Sequence, residues 1–278
     1  DLGKGQSRMG GSILGQTLDQ SGDVVPDVDD PQDLVNLVNA VNALRAKGQI
    51  LAYHDRSDGG LLAAVAEMAF AGHVGVALNV DMLVTEGDGI SDSRMETGDA
   101  KNWAQQVSAR REELTLKALF NEELGVVLQV RTAERNEVMQ TLREHGLSKF
   151  SHFIGKTRPA SSSINAGKGE LQVWRDAKAV FSAPLADLHQ VWDAVSWKIC
   201  QQRDNPANAD AEHAAAGEPT DPGMQVHLTF DASDDVAAPF LNLSRPKVAI
   251  LREQGVNSHV EMAYAFTEAG FEAFDVHM

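Results

Sequence analysis

The sequence predicts a fold of the α/β or α+β class, and three observations lead there. Helix-period and strand-type apolar runs interleave along the chain, a polar glycine-bearing loop joins one such strand to a helix, and residues 247–276 read as strand, helix, strand. With 278 residues, 43% of them hydrophobic and 23% charged, the chain can bury a sizeable core and has room for about two domains.

The first stretch is glycine-rich (Gly3, Gly5, Gly10, Gly11, Gly15, Gly22) around a small amphipathic piece, Ser12 to Leu18, and reads as the tail of a preceding unit over residues 1–28. From Pro31 to Lys47, Leu34, Val35, Leu37, Val38, Val41 and Leu44 recur at helical spacing, with Pro31 where a first turn tolerates proline. Ile50 to Tyr53 form a short strand that runs into His54-Asp55-Arg56-Ser57-Asp58-Gly59-Gly60, and the almost wholly apolar helix Leu61 to Ala71 follows. Val74 to Val84 reads as a strand. Glu86 to Glu113 holds seven acidic and four basic residues with few apolar ones, which predicts a surface insertion. Next come a helix through Leu114 to Phe120, a strand at Val126 to Val130, a helix at Glu134 to His145, and strands near Phe150 to Ile154, Leu171 to Trp174 and Val180 to Phe181. The helix Leu185 to Cys200 carries Leu188, Val191, Trp192, Val195 and Ile199 on one face.

Between Gln201 and Phe240 eight acidic residues stand against Arg203 alone, with four prolines and two glycines. That composition predicts an extended linker over 206–244, with one strand-type run at Val226 to Phe230. Lys247 to Leu251, Val260 to Ala269 and Phe271 to Val276 then read as the opening βαβ unit of a doubly wound sheet. One such unit cannot bury its own faces, so the sequence reads as a piece of something longer.

Lys plus Arg is 24 and Asp plus Glu 40, so the net charge is 24 − 40 = −16, which argues against nucleic acid or an anionic membrane as partner. One cysteine excludes an internal disulfide framework, and no apolar run reaches the roughly 18 to 20 residues that cross a bilayer. A reducing cytoplasm is the expected setting. Nine histidines without HxxxH or CxxC spacing support no zinc site.

The loop His54 to Gly60 is the densest polar cluster and sits where α/β proteins present ligands. Asp55 or Asp58 can offer carboxylate oxygen to a magnesium ion whose octahedron phosphates complete; Ser57 can donate to a phosphate; Gly59 and Gly60 let backbone amides approach it. The plainer alternative is that Asp58 caps the helix and the glycines make a tight turn. For Asn121-Glu122-Glu123-Leu124-Gly125 the choice lies between a carboxylate aimed into a cleft and solvated acids beside a C-capping glycine. Gly3, Gly5, Gly10 and Gly11 lack a phosphate-loop register and read as turns. Cys200, on a helix without a following glycine elbow, reads as incidental.

Two stretches carry a resemblance. Leu51 to Leu62, continuing through Ala66 to Gly72, resembles the second synthetase half of the large, single-chain phosphoribosylformylglycinamidine synthase family of purine biosynthesis, and Arg245 to Ala263 resembles the start of that family's glutamine amidotransferase domain. Leu119 to Gly125 and Gln202 to Pro206 fall between them in the family's order. The resemblance implies an aminoimidazole-ribonucleotide-synthetase-like C-terminal domain over 29–205, with the insertion at about 86–113, then the linker and the first βαβ unit of a class I amidotransferase domain at 245–278. It implies an ATP-dependent ligase that converts formylglycinamide ribonucleotide and glutamine to the amidine, glutamate, ADP and phosphate. It also implies ATP/ADP and Mg2+ as cofactors, Asp55 as a magnesium ligand and Ser57 as a nucleotide contact, with further ligands upstream and in the missing parts of the same polypeptide. No catalytic residue is assigned here: the glutaminase nucleophile, histidine and acid are expected beyond residue 278, and Cys200 is out of register for the nucleophile. Two alternatives stay open at this level: a half that holds nucleotide structurally without direct catalysis, and a related synthetase of the same fold.

Overall fold

The computed structural model describes residues 1–22, 24–85, 100–158, 169–218, 220–221, 224–235, 237–240 and 243–278. They form two compact units, Asp1–Asp221 and Pro222–Met278. The first unit runs α1 (Ile13–Thr17), α2 (Pro31–Ala46), β1 (Ala52–Asp55), α3 (Gly60–Gly72), β2 (Gly75–Asn79), α4 (Asp81–Thr85), α5 (Ala100–Phe120), β3 (Val126–Gln129), α6 (Arg135–Glu144), β4 (Gly155–Arg158), β5 (Glu170–Arg175), β6 (Lys178–Pro184), α7 (Leu185–Arg203) and α8 (Pro206–Ala216). β1 pairs antiparallel with β3, Asp55 opposite Val126. A second, four-stranded sheet has the order β4-β2-β5-β6, with β2 and β5 parallel and the other pairs antiparallel.

Helix α3 is apolar on almost every side because it is covered on almost every side. Its Leu61, Val65, Ala69 and Phe70 join Leu78 of β2, Leu171 and Val173 of β5, Leu119 of α5 and Leu185 of α7 in the main core. Each of these side chains larger than alanine contributes about 1.5–3 kcal/mol on full burial, so this cluster anchors the strand-to-helix loop that precedes α3. A second cluster, Leu2, Ala40, Leu44, Val138, Leu142 and Leu147, packs α2 on α6. Helix α2 starts as its sequence dictates: the Asp30 side chain accepts from the Gln32 amide at 2.9 Å and Pro31 takes the first helical position.

Several expectations are corrected. Residues 1–28, expected as the tail of a preceding unit, lie within the first compact unit, where Leu2 belongs to the second core cluster and its amide donates to the Leu124 carbonyl at 2.8 Å. Of the expected insertion, residues 86–99 lie outside the described residues, while 100–113 are the first part of α5, which runs unbroken from Ala100. The strand expected at Phe150 to Ile154 forms instead at β4, an exposed edge of polar residues that an apolar pattern cannot reveal. The expected linker begins with a helix: the Asn205 side chain accepts from the Ala207 amide, Pro206 follows at the first helical position, and an alanine-rich run completes α8. This helix packs on α7, where Trp197 and His213 stack at 4.2 Å and His213 meets Asp193 at 2.8 Å. The apolar face expected of α7 is not buried along its length; Val191, Trp192, Val195 and Ile199 are exposed.

The second unit contains β7 (Lys247–Arg252), α9 (His259–Glu268) and β8 (Glu272–His277), the predicted βαβ unit, with β7 and β8 parallel. Arg252 holds Asp275 across the pair at 2.7 Å, and Phe266 meets Phe271 edge-on at 5.4 Å. The strand-type run Val226 to Phe230 forms no strand.

Candidate functional site

Strand β1 delivers the loop Arg56 to Gly60 at its C-terminal end, and alternation along the strand decides which side chains turn inward. Tyr53 and Asp55 face outward, and the Tyr53 hydroxyl donates to Asp55 Oδ1. His54 points the other way, its Nε2 at 2.9 Å from Glu67 on α3, whose second oxygen accepts from Trp192 Nε1 at 2.8 Å. Arg56 carries the covered side chain of the loop: its Nε donates to the Glu123 carbonyl at 2.7 Å, its Nη2 to Asp1 Oδ1, and its amide to the Gly125 carbonyl at 2.9 Å. Burial pushes its pKa down to about 10 against the opposing pull of Glu123, which leaves the guanidinium charged at neutral pH.

Asp55, Ser57 and Asp58 are exposed. Among the described residues the second carboxylate oxygen of Asp55, the Ser57 hydroxyl and the Asp58 carboxylate have no hydrogen-bond partner. Two carboxylates and a hydroxyl thus stand exposed within four residues of chain. Magnesium commonly takes one or two carboxylates and completes its shell with water and phosphate oxygens, so this donor set fits part of a magnesium–phosphate site. No group of three or more histidine, cysteine or acidic side chains suited to hold a metal occurs among the described residues.

Two readings of this loop need correction. Asp58 does not cap α3; the N-cap is Gly59, in a left-handed conformation at φ 82°, with no side-chain cap of its own. Nor are the glycine amides open to a phosphate, because the Gly59 N–H donates to Glu122 Oε1 at 2.9 Å and the Gly60 N–H to the Ser57 carbonyl at 2.9 Å. Gly60 is instead required by a close approach within the protein. At φ 71°, a Cβ there would sit 2.7 Å from the Asn121 carbonyl oxygen and 2.8 Å from that of Leu119.

The segment Asn121 to Gly125 is the feature that sequence reasoning undervalued. Glu123 is fully buried rather than solvated, and Arg8 holds it with Nε on Oε1 at 2.7 Å, Nη2 on Oε2 at 2.7 Å and the backbone amide on Oε1 at 2.9 Å. Hydrogen bonding to Glu123 drives the Arg8 pKa well above its ordinary value. Asn121 is buried too, its amide donating to the Lys117 carbonyl at 2.6 Å. Gly3 lies against this pair, since a Cβ on it would meet the Glu123 carboxyl carbon at 2.5 Å, and a Cβ on Gly10 would come as close to the Val24 carbonyl oxygen, so these two are packing positions. An apolar-walled cavity of about 470 Å³ opens between α3, α6 and the two sheets, but Arg56 lines it and Asp55 and Ser57 do not.

The Tyr53–Asp55 bond has a measurable signature. Partial burial, then the bond to Asp55, pushes the Tyr53 pKa up to about 12. Folding raises the value, so the folded state keeps a proton that the unfolded chain loses. The associated stabilisation is intact below about pH 10 and is lost as pH rises toward the folded value. The chain has two tyrosines, and the difference between the phenolate absorbance titrations of wild type and Tyr53→Phe isolates Tyr53. A midpoint near the ordinary tyrosine value, unmoved by Asp55→Asn, would show that the bond does not form in solution.

Against known proteins, the model of the AIR synthase related protein, C-terminal domain, matches residues 2–164, more than half of the chain. The chain belongs to this family. A CobB/CobQ-like glutamine amidotransferase domain model matches residues 245–278. Among solved structures the chain is similar to Thermotoga maritima PurL complexed with ATP, at 16% identity and a TM-score of 0.40, over 57% of this chain and 22% of that one. It is similar also to PurLQS from Thermotoga maritima, at 16% and 0.40, over 63% and 24%, and to T. maritima PurL complexed with FGAR, at 16% and 0.40, over 58% and 21%. The chain thus spans less than a quarter of the length of these structures. The family assignment agrees with the α/β class and with the synthetase-like domain the motifs implied, and it includes the first residues that the motif reading had set apart. No described helix is long and apolar enough to cross a membrane.

Proposed function

We infer that this chain is part of an ATP-dependent carbon–nitrogen ligase that takes formylglycinamide ribonucleotide, glutamine and ATP to formylglycinamidine ribonucleotide, glutamate, ADP and phosphate, a cytoplasmic step of purine synthesis. One observation carries the reading: an AIR synthase related C-terminal domain and a glutamine amidotransferase start occur in that order on one chain. The order also favours this activity over other synthetases of the same fold, which have no need of an ammonia-releasing domain.

In this reading the loop after β1 binds nucleotide. The Ser57 hydroxyl donates to a phosphate oxygen, and the outward Asp55 carboxylate is one ligand of a magnesium ion whose remaining ligands are phosphate, water and groups elsewhere in the polypeptide. Bound there, magnesium would neutralise phosphate charge. Tyr53 keeps one Asp55 oxygen engaged and so orients the other, and Arg56 ties the loop to the Glu123–Leu124–Gly125 backbone.

The test uses the full-length enzyme. Asp55→Asn replaces an anionic ligand by a neutral amide and should raise the ADP Kd about tenfold or more and lower the nucleotide that copurifies. Ser57→Ala should weaken binding by a smaller factor, about three- to fivefold, the value of one typical hydrogen bond. Nucleotide content and Kd unchanged in both variants would sink the site assignment. Parallel assays of glutamate release and ATP-dependent amidine formation decide the reaction, and full turnover in an Asp55→Asn enzyme stripped of nucleotide would make the bound nucleotide dispensable for catalysis.

A further inference from the structure

We propose that Glu122 is a positioning residue that holds the Ser57–Asp58 turn in its binding shape by accepting, on a single carboxylate oxygen, the backbone N–H groups of Gly59 and Ile13, each at 2.9 Å. The inference rests on the nucleotide reading above and deepens it.

The loop has few other constraints. Arg56 is fastened at the entrance and Gly60 at the exit, but between them Ser57 and Asp58 present free side chains on a turn closed by the Gly60 N–H to Ser57 carbonyl bond. Gly59 and Gly60, left-handed at φ 82° and 71°, bend the chain into α3, and glycine costs the most order to hold. No side chain of the loop caps α3, and the half-buried Gly59 amide has Glu122 as its partner. The carboxylate comes from the segment between α5 and β3, 63 residues away, which the main core fixes through Leu119. The same oxygen takes the first amide of α1, so one side chain joins the amino-terminal segment, the end of α5 and the start of α3.

This arrangement also decides what the nucleotide can touch. With the Gly59 and Gly60 amides engaged, a phosphate at this loop is met by the Ser57 hydroxyl and the Ser57 and Asp58 amides, which have no partner among the described residues. Glu122 therefore shapes the site without contacting the ligand, and its negative charge lies at the positive end of α3. Its acceptor oxygen, not its charge, is the property the loop uses.

The experiment compares Glu122→Ala and Glu122→Gln in the full-length enzyme, with ADP and magnesium as the probe and amide hydrogen exchange of peptides spanning 54–62 as a second readout. Glu122→Ala should raise the ADP Kd by up to about tenfold, the upper end for one ordinary hydrogen bond, and speed exchange in 56–60. Glu122→Gln keeps an acceptor oxygen and should restore both, with a Kd at or below wild type because a negative charge near the phosphates is gone. Gln behaving like Ala would overturn the proposal, as would an Ala Kd unmoved in an enzyme whose Kd responds to Asp55→Asn. If Asp55→Asn has no effect either, the nucleotide reading is what failed. Exchange then decides alone: faster exchange in Ala, rescued in Gln, supports the tether, and unchanged exchange overturns it.

Discussion

Arg8→Ala and Glu123→Ala are each expected to lower the stability of the first unit by about 3–5 kcal/mol, the usual cost of removing one partner from a buried ion pair. Glu123 has no exposed surface and takes three hydrogen bonds from Arg8 alone, so losing the guanidinium strands a carboxylate away from water. Losing the carboxylate instead leaves Arg8 with Asp29, at 3.0 Å and at the surface, and opens a gap beside Gly3. Because the two residues act as one unit, the double variant should cost clearly less than the sum of the singles, with a coupling of about 1–3 kcal/mol. Urea unfolding of the three variants, with the midpoint shifted and the slope unchanged, measures it. Additive losses below about 1 kcal/mol would mean that the amino-terminal segment is not clamped to the Asn121–Gly125 turn in solution.

Gly60→Ala is expected to cost on the order of 4 kcal/mol, from a left-handed backbone that alanine resists and from overpacking against atoms that cannot yield. The Cβ would meet backbone rather than flexible side-chain tips: the carbonyl oxygens of Asn121 and Leu119 and the carbonyl carbon of Phe120, all within 2.8 Å. Since that contact seats the start of α3 on the end of α5, the variant should also disturb the Ser57–Asp58 turn and weaken nucleotide binding. Gly48→Ala is the control, with φ 66° and nothing within 4 Å of the added carbon, and it should show the backbone cost alone. Equal losses in the two variants would remove the close approach as the reason for Gly60.

The two predictions lie where sequence reasoning went least far. Periodicity found α2, α3 and the closing βαβ unit, because each carries an apolar pattern within a single element, whether or not this chain buries it: Leu34, Val35 and Val38 of α2 stay exposed and α9 buries no residue. It missed α8, since acidic residues and a proline suggested a linker while Asn205, Pro206 and the alanines were the stronger, local helix signal. It missed β4 because an exposed edge strand has no apolar pattern to read. The loop His54 to Gly60 was legible as a polar cluster after a strand, and Asp55 and Ser57 are exposed there without lining the cavity beside it.

What the sequence by itself determined is the local chemistry: a strand that must end in an acid-and-hydroxyl loop, a helix after it apolar enough to be a core element, and two motif sets in a fixed order along the chain. Only the tertiary structure decided what the same letters do in space. Glu122 and Glu123 are adjacent acids that composition reads as solvated, yet one is buried on an arginine 115 residues away and the other bridges two helix starts. Gly59 and Gly60 look alike and both bend the chain, yet only Gly60 also admits a neighbouring backbone. The physical reason is common to both cases. Hydrophobic period and capping chemistry act between residues a few positions apart, whereas desolvation, ion pairing and steric contact depend on which surfaces the fold presses together.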